Sequence, residues 1–219
     1  MMNFLKKIFS SLNNNSDMNK YLILGIGNIG SEYDDTRHNI GFQIVDELAK
    51  CLETKFDSLK LAQRAEASFK GKKIVIIKPN NYVNNSGRSL VYWQKKEKVS
   101  LENILVVCDD LNLFFGNIKI KPNGTSGGHN GLKDIEDNLG TSNYARLRVG
   151  ISNNNKISKS DYVLGKWNSF EMSYINSLTI SSIEIIFSFI QTGIEETMNL
   201  YNKKNFIIWK FSGVLKIII

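Results

Sequence analysis

The sequence predicts an α/β fold: a single-domain, three-layer sandwich in which a mixed, mostly parallel sheet is flanked by helices. Three observations lead there. Short apolar runs of strand character, "YLILG", "KKIVIIKP" and "NILVVC", recur with amphipathic stretches of helical period between them, an alternation that builds largely parallel sheets. At 219 residues, 42% of them hydrophobic, the chain can fill one proper core. No uninterrupted apolar run approaches the ~18 residues of a membrane span, which favours a soluble globular chain.

Tyr21 to Gly25 reads as a buried first strand. Residues 40–52 read as an amphipathic helix, with Ile40, Ile44, Val45, Leu48 and Leu52 at helical spacing and Asn39 as N-cap. A weak strand near residues 65–69 precedes "KKIVIIKPN", whose apolar run ending at Pro79 suits a central strand. A helix over about residues 87–96 leads to the buried strand "NILVVCDDL", with two carboxylates at its C-terminal end, and then to the alternating strand "NIKIK". The glycine-rich "NGTSGGHNG" opens the helix "LKDIEDNLG", which Gly140 closes. "ARLRVGI" is a further alternating strand, and residues 172–191 form a long amphipathic helix. Such sheets bind ligands at the C-terminal ends of their strands. Asn28, His38, Asn84, Asp109 and His129 all fall just past strand ends or at the following helix starts.

The termini read differently. Residues 1–19 pair a short amphipathic piece with an Asn/Ser run, and Lys6 and Lys7 interrupt the apolar stretch that a secretory signal needs, so a mobile tail is expected. Residues 203–219 are an apolar extension of unknown role, too short and too charged to span a bilayer. The unit between them, residues 20–202, is the expected domain.

The net charge of +7 favours an anionic partner such as nucleic acid. Cys51 and Cys108 are far apart and form no C-x-x-C pair, so they offer neither a disulfide framework nor a zinc site. Cys108, in the run "ILVVC", reads as core more readily than as a nucleophile.

The stretch "GIGNIGSEYDDTRHNIGF" contains Gly25-x-Gly27-x-x-Gly30, the spacing of a dinucleotide-binding loop. That loop needs a helix opening at its last glycine and an acidic residue ending a second strand about 20 positions on. Here Ser31 to His38 intervene before any helix, and Asp46 and Glu47 fall inside one. A nicotinamide or flavin enzyme is therefore disfavoured.

The chain has two histidines, His38 and His129, each before an Asn at a predicted helix start. A helix N-terminus disfavours the imidazolium and so suits a general base, although a capping or exposed histidine fits the same position. Asp109 and Asp110 end a hydrophobic strand, where a buried carboxylate needs a partner: a histidine ring, or backbone amides. Asn28, Asn84 and Asn130 can grip peptide amides or donate to an oxyanion, or serve as turn residues. Lys119, Lys121, Lys133, Arg146 and Arg148 surround the glycine loop as a phosphate clamp or as a solvated face.

Several motifs together resemble the bacterial peptidyl-tRNA hydrolase family. They are "LGIGNIGSEYDDTRHNIGF", "KPNNYVNNSG", "VVCDDLNLFFGNIKIK" and "GTSGGHNGLKDI", completed by "YARLRVGI" and "DYVLGK", in the family's order over about residues 20–202. The resemblance implies hydrolysis of the ester between a peptide, or an N-blocked aminoacyl group, and the 3′ ribose of tRNA, with both products recycled in translation. It implies His38 as catalytic base, Asp109 as the partner that orients it, and Asn28 as the residue sensing whether the substrate's amino group is blocked. Asn84, with Tyr33, Tyr82 and Asn130, is implied to hold the peptide and the tRNA terminus, and Asn84 also to steady the oxyanion. Lys121 and Arg148 are implied to clamp a tRNA phosphate, with His129 a secondary pocket residue. Ile29 stands where proline is common, Val83 where methionine is common, and "DDLN" replaces Asp-Glu-Leu-Asp.

The expectation is thus a monomeric cytoplasmic hydrolase with peptidyl-tRNA as partner, no membrane association and no cofactor. No metal is expected either, because the two histidines are too far apart in sequence for the usual ligand spacing. A non-catalytic RNA-binding relative of the same fold is the alternative.

Overall fold

The computed structural model describes residues 20–152, 158–204 and 206. The expected tail (1–19) and most of the expected extension (205 and 207–219) lie outside them.

Seven strands form one mixed sheet in the order β2-β3-β4-β1-β5-β7-β6. They are β1 (Lys20–Gly25), β2 (Asp57–Leu59), β3 (Ala62–Phe69), β4 (Lys72–Pro79), β5 (Ile104–Phe114), β6 (Ile118–Lys121) and β7 (Ala145–Ser152). The pairs β4·β1, β1·β5 and β5·β7 are parallel, whereas β2·β3, β3·β4 and β6·β7 are antiparallel. The core of the sheet is therefore parallel and its margins antiparallel, as the three-layer reading anticipates.

Alternation along β1 explains the layers. Tyr21 and Ile23 join one core with α1 (Ile40–Cys51) and the long final helix, while Leu22 and Leu24 join a second core with α2 (Ser86–Glu97) and α3 (Asn130–Leu139). Side chains alternate across a strand, so one apolar run feeds both layers. Two elements escaped the sequence reading: β2, three exposed residues with no alternation to detect, and the short helix α4 (Lys159–Leu164).

The last helix, α5 (Ser169–Tyr201), is longer than expected and kinks at Gly193, whose φ of 81° is non-helical. One 18-residue window of it has a mean hydropathy of 1.4, which makes it long and apolar enough to cross a membrane, although no unbroken apolar run betrays it. Its Leu178, Ile183, Ile186, Phe189 and Ile190 are buried in the first core, which is how a sheet-covering helix behaves. Just beyond it, Asn202 accepts from the Ile120 N–H at 2.8 Å and donates to the Ile120 carbonyl at 2.9 Å, covering the free edge of β6 as another strand would.

The glycines after β1 serve close approach more than a turn. A Cβ on Gly41, in the first turn of α1, would lie 2.4 Å from the Ile26 carbonyl oxygen and 2.5 Å from that of Val107. One on Gly25 would lie 2.5 Å from the carbonyl oxygen of Gly41. Only hydrogen at both positions lets α1 seat against the ends of β1 and β5. Of Gly25, Gly27 and Gly30, only Gly30 has a positive φ, 111°.

Candidate active site

The chain leaves β1 for α1 on one face and β4 for α2 on the other, and the crevice where they part lies at the C-terminal strand ends. A cavity of about 350 Å³ opens there, lined among others by Asn28, His38, Asn84, Asp109, His129 and Asn130. Sequence-predicted residues from three loops thus meet Asp109, which lies within β5 and not past its end as expected.

His38 lies in a 3₁₀ turn, Arg37–Asn39, that runs into α1. Three contacts hold this turn. Arg37 forms a buried ion pair with Glu171, at 2.6 Å and 3.2 Å, and donates to the Tyr162 carbonyl at 3.2 Å. Its own N–H reaches the Gly165 carbonyl at 3.1 Å. These contacts give "DYVLGK" a physical role that its residue types did not advertise: α4 and the loop after it brace the turn carrying His38. Asn39 occupies the N-cap position without capping. Its amide instead pairs with the Asn28 backbone, accepting at 2.8 Å and donating at 2.9 Å, and so fixes the first loop against the His38 turn.

Asp109 is 3% exposed, and its Oδ1 lies 2.7 Å from His38 Nδ1 and 3.1 Å from His129 Nε2. A carboxylate only accepts, so both facing nitrogens carry hydrogen. His38 Nε2 is then the bare nitrogen, and His38 lines the cavity. Burial disfavours charge on His38, but the charge of Asp109 and its hydrogen bond outweigh this and raise the ring's pKa above 6.5. The helix-start argument, which expected a histidine kept neutral, loses here to a nearby carboxylate. Burial would likewise raise Asp109, yet the two imidazole rings, through positive charge where they are protonated and through the hydrogen bonds they donate, hold its carboxyl well below the usual range.

Separation in sequence does not keep the histidines apart, contrary to the spacing argument against a metal. The facing atoms of His38, Asp109 and His129 lie within 4.8 Å of one another. They are already engaged in hydrogen bonds to each other, so this donor set is satisfied without an ion.

Asn28 is buried, and its Oδ1 accepts the Val83 N–H at 2.9 Å, which leaves its Nδ2 side for a ligand. Asn84, in the turn Val83–Asn85, and Asn130, the first residue of α3, are exposed on the cavity wall. Tyr33 and Tyr82 do not line the cavity; their rings meet edge to face at 6.0 Å. Burial pushes the Cys108 thiol far up, as expected of a core cysteine.

The basic cluster divides. Arg146 is 1% exposed and bonds Thr125 O, Glu136 and Ser142 O, a latch between the glycine loop and α3 rather than a free cation. Lys119 donates to the Asn202 carbonyl. Lys121 and Lys133 are exposed. Arg148 shares a sheet face with Lys119 and Lys121 and pairs through Nε with Asp110, a contact the sequence reading did not foresee. Neither Lys121 nor Arg148 lines the cavity. The α4 residues Lys159 and Leu164 do, and they were missed because nothing in their types marks them.

A sequence-family model described as peptidyl-tRNA hydrolase matches residues 22–207. The peptidyl-tRNA hydrolase of Phocaeicola vulgatus is 46% identical over 186 residues, covering 84% of this chain and 100% of that one. That of Cytophaga hutchinsonii is 44% identical, covering 84% and 99%. The crystal structure of peptidyl-tRNA hydrolase from Acinetobacter baumannii superposes with a TM-score of 0.80 at 34% identity, covering 85% of this chain and 96% of that one. On sequence and fold alike, the chain belongs to the peptidyl-tRNA hydrolase family.

Proposed function

We propose that this chain carries out the family's reaction, hydrolysing the ester between a peptidyl group and the 3′ ribose of tRNA, with His38 as general base. The observation that carries the proposal is the 2.7 Å contact between His38 Nδ1 and Asp109, which leaves Nε2 bare at a cavity walled by asparagine amides. Nε2 takes a proton from water as the water oxygen attacks the ester carbonyl, and the imidazolium returns a proton to the departing ribose oxygen. Asp109 keeps the ring in the required tautomer and balances its charge. Asn84, unencumbered on the wall, donates to the oxyanion.

Asn28 presents a donor, because its oxygen is held by Val83. A donor suits a carbonyl of a blocked amino group and repels an ammonium, which is a physical basis for sensing N-blocked substrates. Tyr33, Tyr82 and Asn130 serve the peptide and the tRNA terminus, and Lys121 with Arg148 takes a tRNA phosphate. Residues 20–202 are taken as the hydrolase unit, with 1–19 and 203–219 as appendages; the family match over 22–207 supports the unit and runs a few residues past its C-terminal bound. A cytoplasmic monomer acting on peptidyl-tRNA completes this reading.

The test is incubation with N-acetyl-aminoacyl-tRNA and with free aminoacyl-tRNA. Release of tRNA from the first and much less from the second is expected. Binding of tRNA without any release would favour the non-catalytic alternative.

A further inference from the structure

We infer that His129 is a positioning residue: anchored at the start of α3, it donates its Nε2 proton to the Asp109 oxygen that holds His38, and so weakens Asp109's grip on the His38 proton. The inference rests on His38 being the base.

Three contacts carry it. His129 Nδ1 accepts from the Gly131 and Leu132 backbone N–H groups, at 3.1 and 3.3 Å, as the N-cap of α3. A nitrogen that accepts two N–H bonds bears no hydrogen, so in the neutral ring the proton sits on Nε2. That Nε2 points at Asp109 Oδ1, 3.1 Å away, the same oxygen that His38 Nδ1 approaches at 2.7 Å. The two rings lie with centroids 4.9 Å apart. The helix start thus selects the tautomer of one histidine, and that tautomer competes with the other for a single carboxylate oxygen.

The direction of the effect follows from charge. Removing the His129 donor leaves more negative charge on Asp109 for His38 alone, so His38 keeps its proton to higher pH and its basic form appears later. The other charged groups near His38 are already engaged or stay in place in such a variant. Asp110 of β5 pairs with Arg148 of β7, and Arg37 with Glu171 of α5. On α4, Lys159 lines the same cavity and Asp161 accepts from the Ser158 hydroxyl.

The chain has only two histidines, so His129→Asn leaves one imidazole to observe. Asparagine also caps helices well, which keeps the cap while removing the reach to Asp109. With 15N-labelled histidine, NMR of the parent protein is expected to show His129 bare at Nδ1 and protonated at Nε2. The opposite tautomer overturns the inference, whether or not any variant folds. In His129→Asn and His129→Ala the His38 titration midpoint is expected to move up. An unchanged or lower midpoint, or a shift in the Ala variant that Asn restores, overturns it.

In kinetics, kcat/KM is expected to fall about three- to tenfold on the acidic side and to converge on the parent as pH rises, since one pH unit corresponds to about tenfold. A loss uniform across pH would mean a merely structural role and would also overturn the inference. Full activity of His38→Ala would remove the base assignment and leave the ring coupling to be read by NMR. An inactive His38→Ala with an unmoved midpoint would remove only the present inference.

Discussion

Glu171→Gln removes one charge and almost no volume, and its consequence can be worked from the contacts. Glu171 and Arg37 have side-chain exposures of 2% and 7%, and meet through two bonds, Nη2 to Oε2 at 2.6 Å and Nε to Oε1 at 3.2 Å. The guanidinium also stacks on Tyr162, 4.4 Å from the ring centroid, which leaves it little access to water. Glutamine can still accept the Asn168 N–H that closes the capping box at the head of α5, worth about 1 kcal/mol. What it cannot do is neutralise Arg37. Leaving one partner of a buried pair without its counter-charge costs about 3–5 kcal/mol, a large share of the roughly 5–15 kcal/mol that holds a domain folded.

The assay is urea denaturation at pH 7, followed by circular dichroism, at low and high salt. The loss is expected to be nearly independent of salt, because screening acts weakly on buried charge. In the double variant Arg37→Met/Glu171→Gln the unpaired cation is gone, so its cost is expected to fall well below the sum of the singles. Since Arg37 precedes His38, Glu171→Gln is also expected to lower kcat in the protein that remains folded. A loss under about 1 kcal/mol that fades with salt would be the behaviour of an exposed pair, and would refute the claim that this pair braces the His38 turn.

His38→Ala is expected to leave a folded protein with kcat lowered about 10²- to 10⁴-fold, and Asp109→Asn to do less harm, because the ring survives without its orientation; near-normal turnover in the first excludes His38 as base. Asp109 has a depressed pKa, so its stabilising contribution is present above its unfolded value near 3.9 and is lost as pH falls through the folded one. The stability gap between parent and Asp109→Asn in urea should therefore shrink on acidification below about pH 4. The raised pKa of His38 has the opposite sign: its contribution is full below the unfolded value and fades as pH rises through the folded one, so His38→Ala should cost more stability at pH 6 than at pH 9. Lys121→Ala and Arg148→Ala should each weaken full peptidyl-tRNA and lower the salt slope of binding by about one unit per phosphate contact, while sparing a short ester that lacks the phosphate. Equal losses on both substrates would mean that these residues shape the cleft, and Arg148→Ala carries the added risk of releasing Asp110.

Periodicity found nearly every element, because a buried strand and an amphipathic helix write their period into a dozen residues whatever they pack against. It failed where that link breaks. The exposed β2 has no inward face to mark it, and the six-residue α4 is too short for a period to show. The site was legible as a set of types placed after strand ends, with motif resemblance assigning the roles. The basic cluster was the least legible part. Alternation put Arg146 and Arg148 on one face, but only packing decided that Arg146 would be a buried latch and that Arg148 would pair with Asp110.

By itself, then, the sequence determined the alternating α/β plan, the family, and which segments would carry His38, Asp109 and the three asparagines, although β5 runs on past Asp109 to Phe114. Only the tertiary structure decided which atoms meet. His38 and Asp109 are 71 positions apart and His129 lies 20 beyond Asp109, yet both rings reach one carboxylate oxygen. The parallel pairing of β1 with β5 sets two strand ends side by side, Gly25 and Gly41 let α1 close upon them, and the start of α3 turns His129 toward the same point. Local pattern reports which face of an element is apolar. It does not report which elements become neighbours, and the balance of charge between His38 and Asp109 is a property of that neighbourhood.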